Sequence, residues 1–363
     1  MNHCRAGCFS ITLLSLVAVA SAGPVSLSDN QRHKLGDLVK SDPEARQQFE
    51  EIRNQADAAL KIEPDPIESI RSEGKLQKDP EKIRTTQSLR DMPRIGALAF
   101  AYAVTGDAAY ADKTRQFLLA WAKVNKSRGD PIDDTNLESP IVAYDLVRVA
   151  CSDSERATID NWLRKTAEAE MGSAKKGAAT SMNNWHSHRL KVMGLIGLLL
   201  EDRKLIDYTV AAFKQQIDRN LKPDGSSWDF HERDALHYHV YDLEPLLTLA
   251  IAYQQAGIDL YGHTSPEGAS LYKSVQFLVP YCDGSKTHAE FVGSKVAFDR
   301  KRAEAGDAHY KAGALFEPTS GRKALELAAF FDPSLNKLAV ALSGTKAEHY
   351  SSWRMVLNQV QRG

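Results

Sequence analysis

Residues 236–241 read Leu-His-Tyr-His-Val-Tyr, which places two histidines and two tyrosines in six positions. Imidazole and phenol both pass protons: histidine near neutrality, tyrosine once cationic neighbours bring its pKa down from about 10. On one helix, turning 100° per residue, residues 233–251 divide into two faces. Leu236, Val240, Leu243, Leu246, Leu247, Ala250 and Ile251 form a broad apolar stripe that must be packed. Arg233, Asp234, His237, Tyr238 and Tyr241 project onto a separate arc, and His239 falls beside the stripe, where a buried structural histidine is expected. An arc of His237, Tyr238 and Tyr241 with Arg233 nearby packs poorly but suits proton transfer, with Arg233 and His237 as local stabilisers of a Tyr238 phenolate.

A second cluster, Asn-Asn-Trp-His-Ser-His-Arg at 183–189, precedes the apolar run Leu-Lys-Val-Met-Gly-Leu-Ile-Gly-Leu-Leu-Leu. Asn183 is placed to cap the helix that follows. Asn184, His186 and His188 bring amide and imidazole donors to the same helix start, an arrangement suited to a bound carboxylate. Five of the eleven histidines (His186, His188, His231, His237 and His239) fall in the two clusters, so a zinc hydrolase is the rival reading. His-x-His, present twice, does not place both rings on one helical face as His-x-x-x-His does, and no metal or other cofactor is expected.

The elements that must position these residues are helices. Apolar residues recur at helical spacing over about 30–60, 94–105, 109–124, 137–150, 154–170, 184–201, 204–221, 233–256, 267–278 and 322–332, with few convincing strands. Stops such as Thr105-Gly106-Asp107 and Pro223-Asp224-Gly225 separate them. Short connectors between many helices favour antiparallel hairpins, and the absence of a fixed repeat argues against a regular solenoid. The expected fold is all-α, an incomplete α/α toroid in a single domain over 23–363, with the Gly-, Lys- and Arg-rich stretch 279–321 as loops closing over one face.

The chain has 363 residues, 43% hydrophobic and 26% charged, the composition of a globular protein. Arg5, an apolar run and Ala20-Ser21-Ala22 form a signal-peptide pattern over 1–22, which predicts a periplasmic or secreted protein without a membrane anchor. Cys151 and Cys282 then remain, either as buried thiols or as one disulfide. Forty-six basic against 47 acidic residues give no overall attraction for a polyanion, so nucleic acid is not an expected partner and any acidic ligand needs a local basic cluster.

Asn-Asn-Trp-His-Ser-His-Arg-Leu-Lys, followed some fifty residues later by Glu-Arg-Asp-Ala-Leu-His-Tyr-His-Val-Tyr-Asp, resembles the alginate lyase family of polysaccharide lyases and its glucuronan-cleaving relatives. Residues 101–122, 129–148 and 290–307 fit the same family. The best-known members read Asn-Asn-His-Ser-Tyr-Trp, whereas Trp185 stands here where their histidine does; Arg233 also has a different offset from Tyr238. The resemblance implies an α/α toroid and metal-independent β-elimination of a 4-linked polyuronate. That reaction requires the C6 carboxylate neutralised, the C5 proton removed and O4 protonated. Asn184 with His186 or His188, assisted by Arg233, is expected to do the first. In mannuronate or glucuronate the C5 proton and O4 share a face, so Tyr238 could serve as base and then acid, or a histidine from the first cluster could be the base and Tyr238 the acid. Trp185, Trp228 and Tyr241 are candidates for sugar faces, Lys295, Arg300 and Arg302 for further carboxylates, and Asn136 with Glu138 for the cleft edge. The expected partner is an acidic polysaccharide and the expected state a monomer; a carbohydrate-binding helical module without catalysis is the third reading.

Overall fold

The computed structural model describes residues 24–174 and 177–362, so the signal-peptide pattern lies outside the described residues. Five helical hairpins follow one another around a ring: Asp91–Thr105 with Ala108–Val124, Glu138–Val147 with Asp153–Ser173, Asn184–Leu199 with Arg203–Asn220, Leu236–Gln255 with Leu271–Cys282, and Arg322–Ala328 with Asn336–Ser343. The first helix of each pair packs on its counterparts in the neighbouring pairs and forms the inner wall. Burial separates the layers: 14 of 16 residues of Asn184–Leu199 are buried, against 6 of 21 in Asp153–Ser173, whose outward face is polar. The gap between the last pair and the first is filled by Asp29–Ser41, Pro43–Ala59 and the C-terminal helix Trp353–Arg362. This is the expected toroid of helical hairpins; among the described residues only isolated β-bridges occur.

The two inner helices that carry the motifs approach closely because of Gly194. A Cβ there would lie 2.5 Å from Leu249 Cδ1 and 2.8 Å from Thr209 Cγ2, so any side chain would force the helices apart. A buried hydrogen bond, Arg189 Nε donating to the Glu170 carboxyl at 3.1 Å, ties the Asn184 helix to the outer layer.

Two periodic segments proved to be broken. The segment at 30–60 divides at Asp42, whose side chain caps the helix begun by Pro43. The segment at 233–256 divides too: a short helix, Trp228–Arg233, ends at Asp234 in the left-handed region (φ 46°), and the next begins at Leu236. Arg233 is therefore not on the Tyr238 helix. The stretch 279–321 is mostly loop as expected, with one helix, Ala297–Glu304, inside it. Cys151 and Cys282 are both buried free thiols.

Candidate functional site

The starts of Asn184–Leu199 and Leu236–Gln255 lie on one rim of the ring. Ala235 precedes the second helix and has no capping side chain, so Glu290 reaches over from the 279–321 stretch. Its two carboxylate oxygens accept from the backbone N–H groups of Leu236 (2.8 Å) and His237 (3.0 Å), meeting the unpaired donors and positive end of the helix. Phe291 N–H to the Asp234 carbonyl (2.7 Å) and His288 Nε2 to the same oxygen (3.1 Å) fix that loop against the site.

Tyr238 is 5% exposed and sits among cations and rings. Arg302 Nη1 donates to its hydroxyl at 3.0 Å, Tyr310 Oη lies 3.3 Å away, and the Arg233 guanidinium stacks 4.0 Å from its ring centre. Arg233 is also paired with Asp299, and Arg302 lies 3.7 Å from Glu73. Burial and Tyr310 push the phenol well above 10, while Arg233 and Arg302 pull it down. At rest the side chain is therefore a phenol whose ionised form would meet two donors.

His237 packs edge-on to Tyr238, with ring centres 5.1 Å apart. Burial, with His309 adding to it, pushes His237 down to about 4, so it is neutral near pH 7. Tyr241 continues the line, 6.3 Å from Tyr238 and 4.3 Å from the ring of His188. Pro245 has no N–H to give the Tyr241 carbonyl one turn back. That carbonyl faces His188, whose Nδ1 pairs with Thr135 Oγ1 at 2.8 Å and whose buried Nε2 has no well-aligned partner. Burial first, then Lys191 and Lys323, hold His188 well below the usual imidazole range.

Beyond His188 the cleft opens into a cavity of about 340 Å³ lined by Asn136, Glu138, Lys191, Tyr241 and Lys323 among others. Lys191 pairs with Glu138, and Lys323 with Glu244 at 2.6 Å. Burial opposes the Lys323 charge, but Glu244 and Glu138 outweigh it and raise its pKa. Tyr241, His188 and these two lysines thus border one polar cavity, with Tyr238 next in line 6.3 Å from Tyr241; the cavity can hold an anionic, hydroxyl-rich ligand next to groups that exchange protons.

A profile of the alginate lyase family matches residues 34–288. The chain belongs to the alginate lyase family. It is 31% identical over 172 residues to a polysaccharide lyase of Stenotrophomonas maltophilia, a match covering 44% of this chain and 51% of the relative. An alginate lyase of the same organism is 26% identical over 194 residues, 47% of this chain and 25% of the relative. The match thus spans about half the length of the first relative and a quarter of the second. Among solved structures, an alginate lyase of Bacteroides ovatus superposes with a TM-score of 0.69 at 18% identity, covering 93% of this chain and 98% of that one. Alginate lyase A1-III of Sphingomonas species A1 gives 0.56 at 21% identity over 74% of this chain and 81% of its own; variants of it have been solved with a tetrasaccharide.

Not every residue singled out in this alginate lyase family chain reaches the groove. His186 turns to the opposite side of its helix, into an outer crevice with Tyr208, Gln215 and Arg219, and burial there lowers it to about 4. It lies two positions before His188, a rotation of roughly 200°. Asn184 is buried, and its backbone N–H and side-chain amide both donate to Asp229. Asp229 shares Asn220 with Asp242, so Asn184 belongs to a buried polar network, and burial raises both carboxyls. Lys295 is exposed and pairs with Glu232; Arg300 is exposed and bonds the Ser294 carbonyl. Of the three candidates Lys295, Arg300 and Arg302, only Arg302 bonds Tyr238 among the described residues. Trp185 is half-buried one turn before His188, and Trp228 is half-buried with its backbone N–H donating to Asn220 Oδ1.

His239 is fully buried, with Nδ1 on Ser227 Oγ (3.0 Å) and Nε2 on the Ser274 carbonyl (3.1 Å). A carbonyl only accepts, so the proton sits on Nε2. His231 pairs with Ser226. The clustered histidines therefore face different partners, and among the described residues no three His, Cys, Asp or Glu side chains are grouped to hold a metal ion. Sequence reasoning missed Tyr310, Glu73, Glu290, Lys191 and Lys323. Lys191 had a signal, a lysine one turn after His188 in an otherwise apolar run; the others lie on segments without helical period or in ordinary surface patterns.

Proposed function

We propose that the protein is an exported polysaccharide lyase that cleaves a 4-linked polyuronate, mannuronate-rich alginate or β-1,4-glucuronan, by β-elimination. The observation that carries this reading is the Tyr238 hydroxyl, 3.0 Å from Arg302 Nη1 beneath the groove, with Arg233 against its ring. The uronate carboxylate binds where Lys191, Lys323 and neutral His188 offer donors, and withdrawal of its charge acidifies the C5 proton. Tyr238, as phenolate held by Arg302 and Tyr310, takes that proton. It returns it to O4 as the glycosidic bond breaks, leaving a C4–C5 double bond on the new end. Tyr241 and Trp185 supply faces for sugar rings. The Arg5-to-Ala22 pattern supports export.

A second assignment of the protons rests on a specific observation, the buried Nε2 of His188 without a well-aligned partner, its ring against Tyr241, which in turn lies 6.3 Å from the Tyr238 phenol that is protonated at rest. There the imidazole takes the C5 proton and Tyr238 only donates. Incubation with polymannuronate and with glucuronan should produce ultraviolet absorbance from the unsaturated ends; silence with every polyuronate sinks the proposal. Tyr238→Phe should lower kcat by about 10²–10⁴-fold with the fold retained by circular dichroism.

A further inference from the structure

Glu73 stands beside the reacting groups with its carboxylate unused. Its ion-pair partner is Arg302, whose Nη2 lies 3.7 Å from Glu73 Oε2, beyond hydrogen-bond reach. Asp299 lies 4.0 Å from Arg302 Nη1, the nitrogen that donates to Tyr238. The Arg302 charge is thus answered by two carboxylates. A carboxylate has two oxygens that only accept, and among the described residues no donor hydrogen-bonds either oxygen of Glu73. Its side chain is 23% exposed, open enough for a ligand to reach.

The backbone around Glu73 is fastened on both sides. Asp133, buried on the short helix Pro131–Asp134, accepts on Oδ1 from Ser72 N–H (2.8 Å), Ser72 Oγ (2.7 Å) and Glu73 N–H (3.2 Å). Four residues on, Gln77 Nε2 donates to Asp307 at 3.1 Å, on the loop that carries Tyr310. The carboxylate therefore has a set place. Two short links, 3.7 Å to Arg302 and 3.0 Å from Arg302 to the Tyr238 hydroxyl, keep it within a sugar ring's width of the group that moves the proton. After burial, Glu73 is the first influence pushing the Tyr241 phenol up, so Tyr241, which lines the lysine cavity, has this carboxylate near it as well. Lys191, Lys323 and His188 thus lie at one end of the line of reacting groups, and Glu73 at the Tyr238 end.

We propose that Glu73 reads the hydroxyl edge of the uronate, accepting from the hydroxyl on C2, and so sets the preference between mannuronate and glucuronate chains. The inference rests on the lyase reading above. In a pyranuronate C2 lies directly across the ring from C5, which bears the carboxylate. With that carboxylate on Lys191, Lys323 and His188 and C5 at Tyr238, the C2 hydroxyl is carried toward Arg302 and Glu73. It is axial in mannuronate and equatorial in glucuronate, so a carboxylate fixed in place meets one and misses the other. Its charge also repels a sugar turned end for end, whose own carboxylate would face it.

The wild-type chain should favour either polymannuronate or glucuronan by about tenfold or more in kcat/KM, as one hydrogen bond to a charged group allows. Glu73→Ala should bring that ratio close to one, and Glu73→Gln, which keeps an acceptor oxygen, should fall between. A wild type without preference overturns the proposal. So does a ratio unchanged in Glu73→Ala while both rates fall, which would leave Glu73 as a counter-charge for Arg302 only. Binding reads the same residue without turnover, in a Tyr238→Phe background that leaves the ligand intact. There the trisaccharide of the preferred uronate, titrated calorimetrically, should bind about tenfold or more weakly once Glu73→Ala is added; equal binding overturns the proposal. Absence of unsaturated product from every polyuronate would instead overturn the lyase reading.

Discussion

At the residue scale the working unit is Tyr238 with the groups that set its proton affinity. Burial alone would fix it as a neutral phenol, and Arg302 and Arg233 are the two groups that oppose this. If Tyr238 acts as base, the rate must rise with pH through its ionisation in the complex. Arg302→Met should then move that rising limb upward by about one to three pH units and cut the rate near neutrality, with Arg302→Lys partly restoring both. A profile unmoved by Arg302→Met favours His188 as base. His237, His239 and Tyr238 divided as the sequence projection required, because a helix face is fixed by 100° steps whatever surrounds it. His186 and Asn184 did not: both lie at the helix start, where which side meets the groove depends on neighbours distant in sequence.

At the scale of elements, the Tyr238 helix begins without a cap of its own and borrows one from Glu290, 54 residues away. Burial raises the Glu290 carboxyl and the two backbone donors lower it, so the cap is a strained but charge-assisted contact. Glu290→Ala should lower stability by about 1–2 kcal/mol. It should also depress kcat more than KM, since the first turn of the helix orients Tyr238; a thermal midpoint and kcat both equal to wild type would show that the helix caps itself. The hairpins were legible because apolar residues repeat every 3.6 positions over 10 to 20 residues. The break at Asp234 was not, because Arg233-Asp234-Ala235 holds neither Gly nor Pro and the left-handed turn is imposed by Phe291 and Gly293 bonding Asp234. For the same reason Glu73 and Tyr310, on segments with no period, reach Arg302 and Tyr238 unannounced.

At the scale of the whole molecule, buried ionisable groups set a stability window in pH. His186, His237 and His239 have folded pKa values near 4 against 6.5 for free histidine. The unfolded chain therefore takes up protons that the fold refuses, and stability falls as pH drops from about 6.5 toward 4. Glu170 works the other way. Burial, with the Asp134 carboxyl beside it, raises its pKa above the usual 4.5 and outweighs Arg189. A carboxyl with a raised folded pKa contributes stability that is whole below its unfolded pKa and is lost as pH rises through the folded one. Above about pH 7 the histidines are neutral in both states and drop out, so the decline that remains comes from buried carboxyls held protonated by the fold, Glu170 beside Asp134 and Asp242 beside Asp229, and Glu170→Gln separates the first pair from the second. The thermal midpoint of the wild-type chain should fall between about pH 7 and 9. Glu170→Gln, which carries no proton to lose and keeps a donor for Asp134, should flatten that fall. A wild-type midpoint level over this range, or an equally steep fall in Glu170→Gln, would mean that Glu170 is ionised in the fold and paired with Arg189 alone.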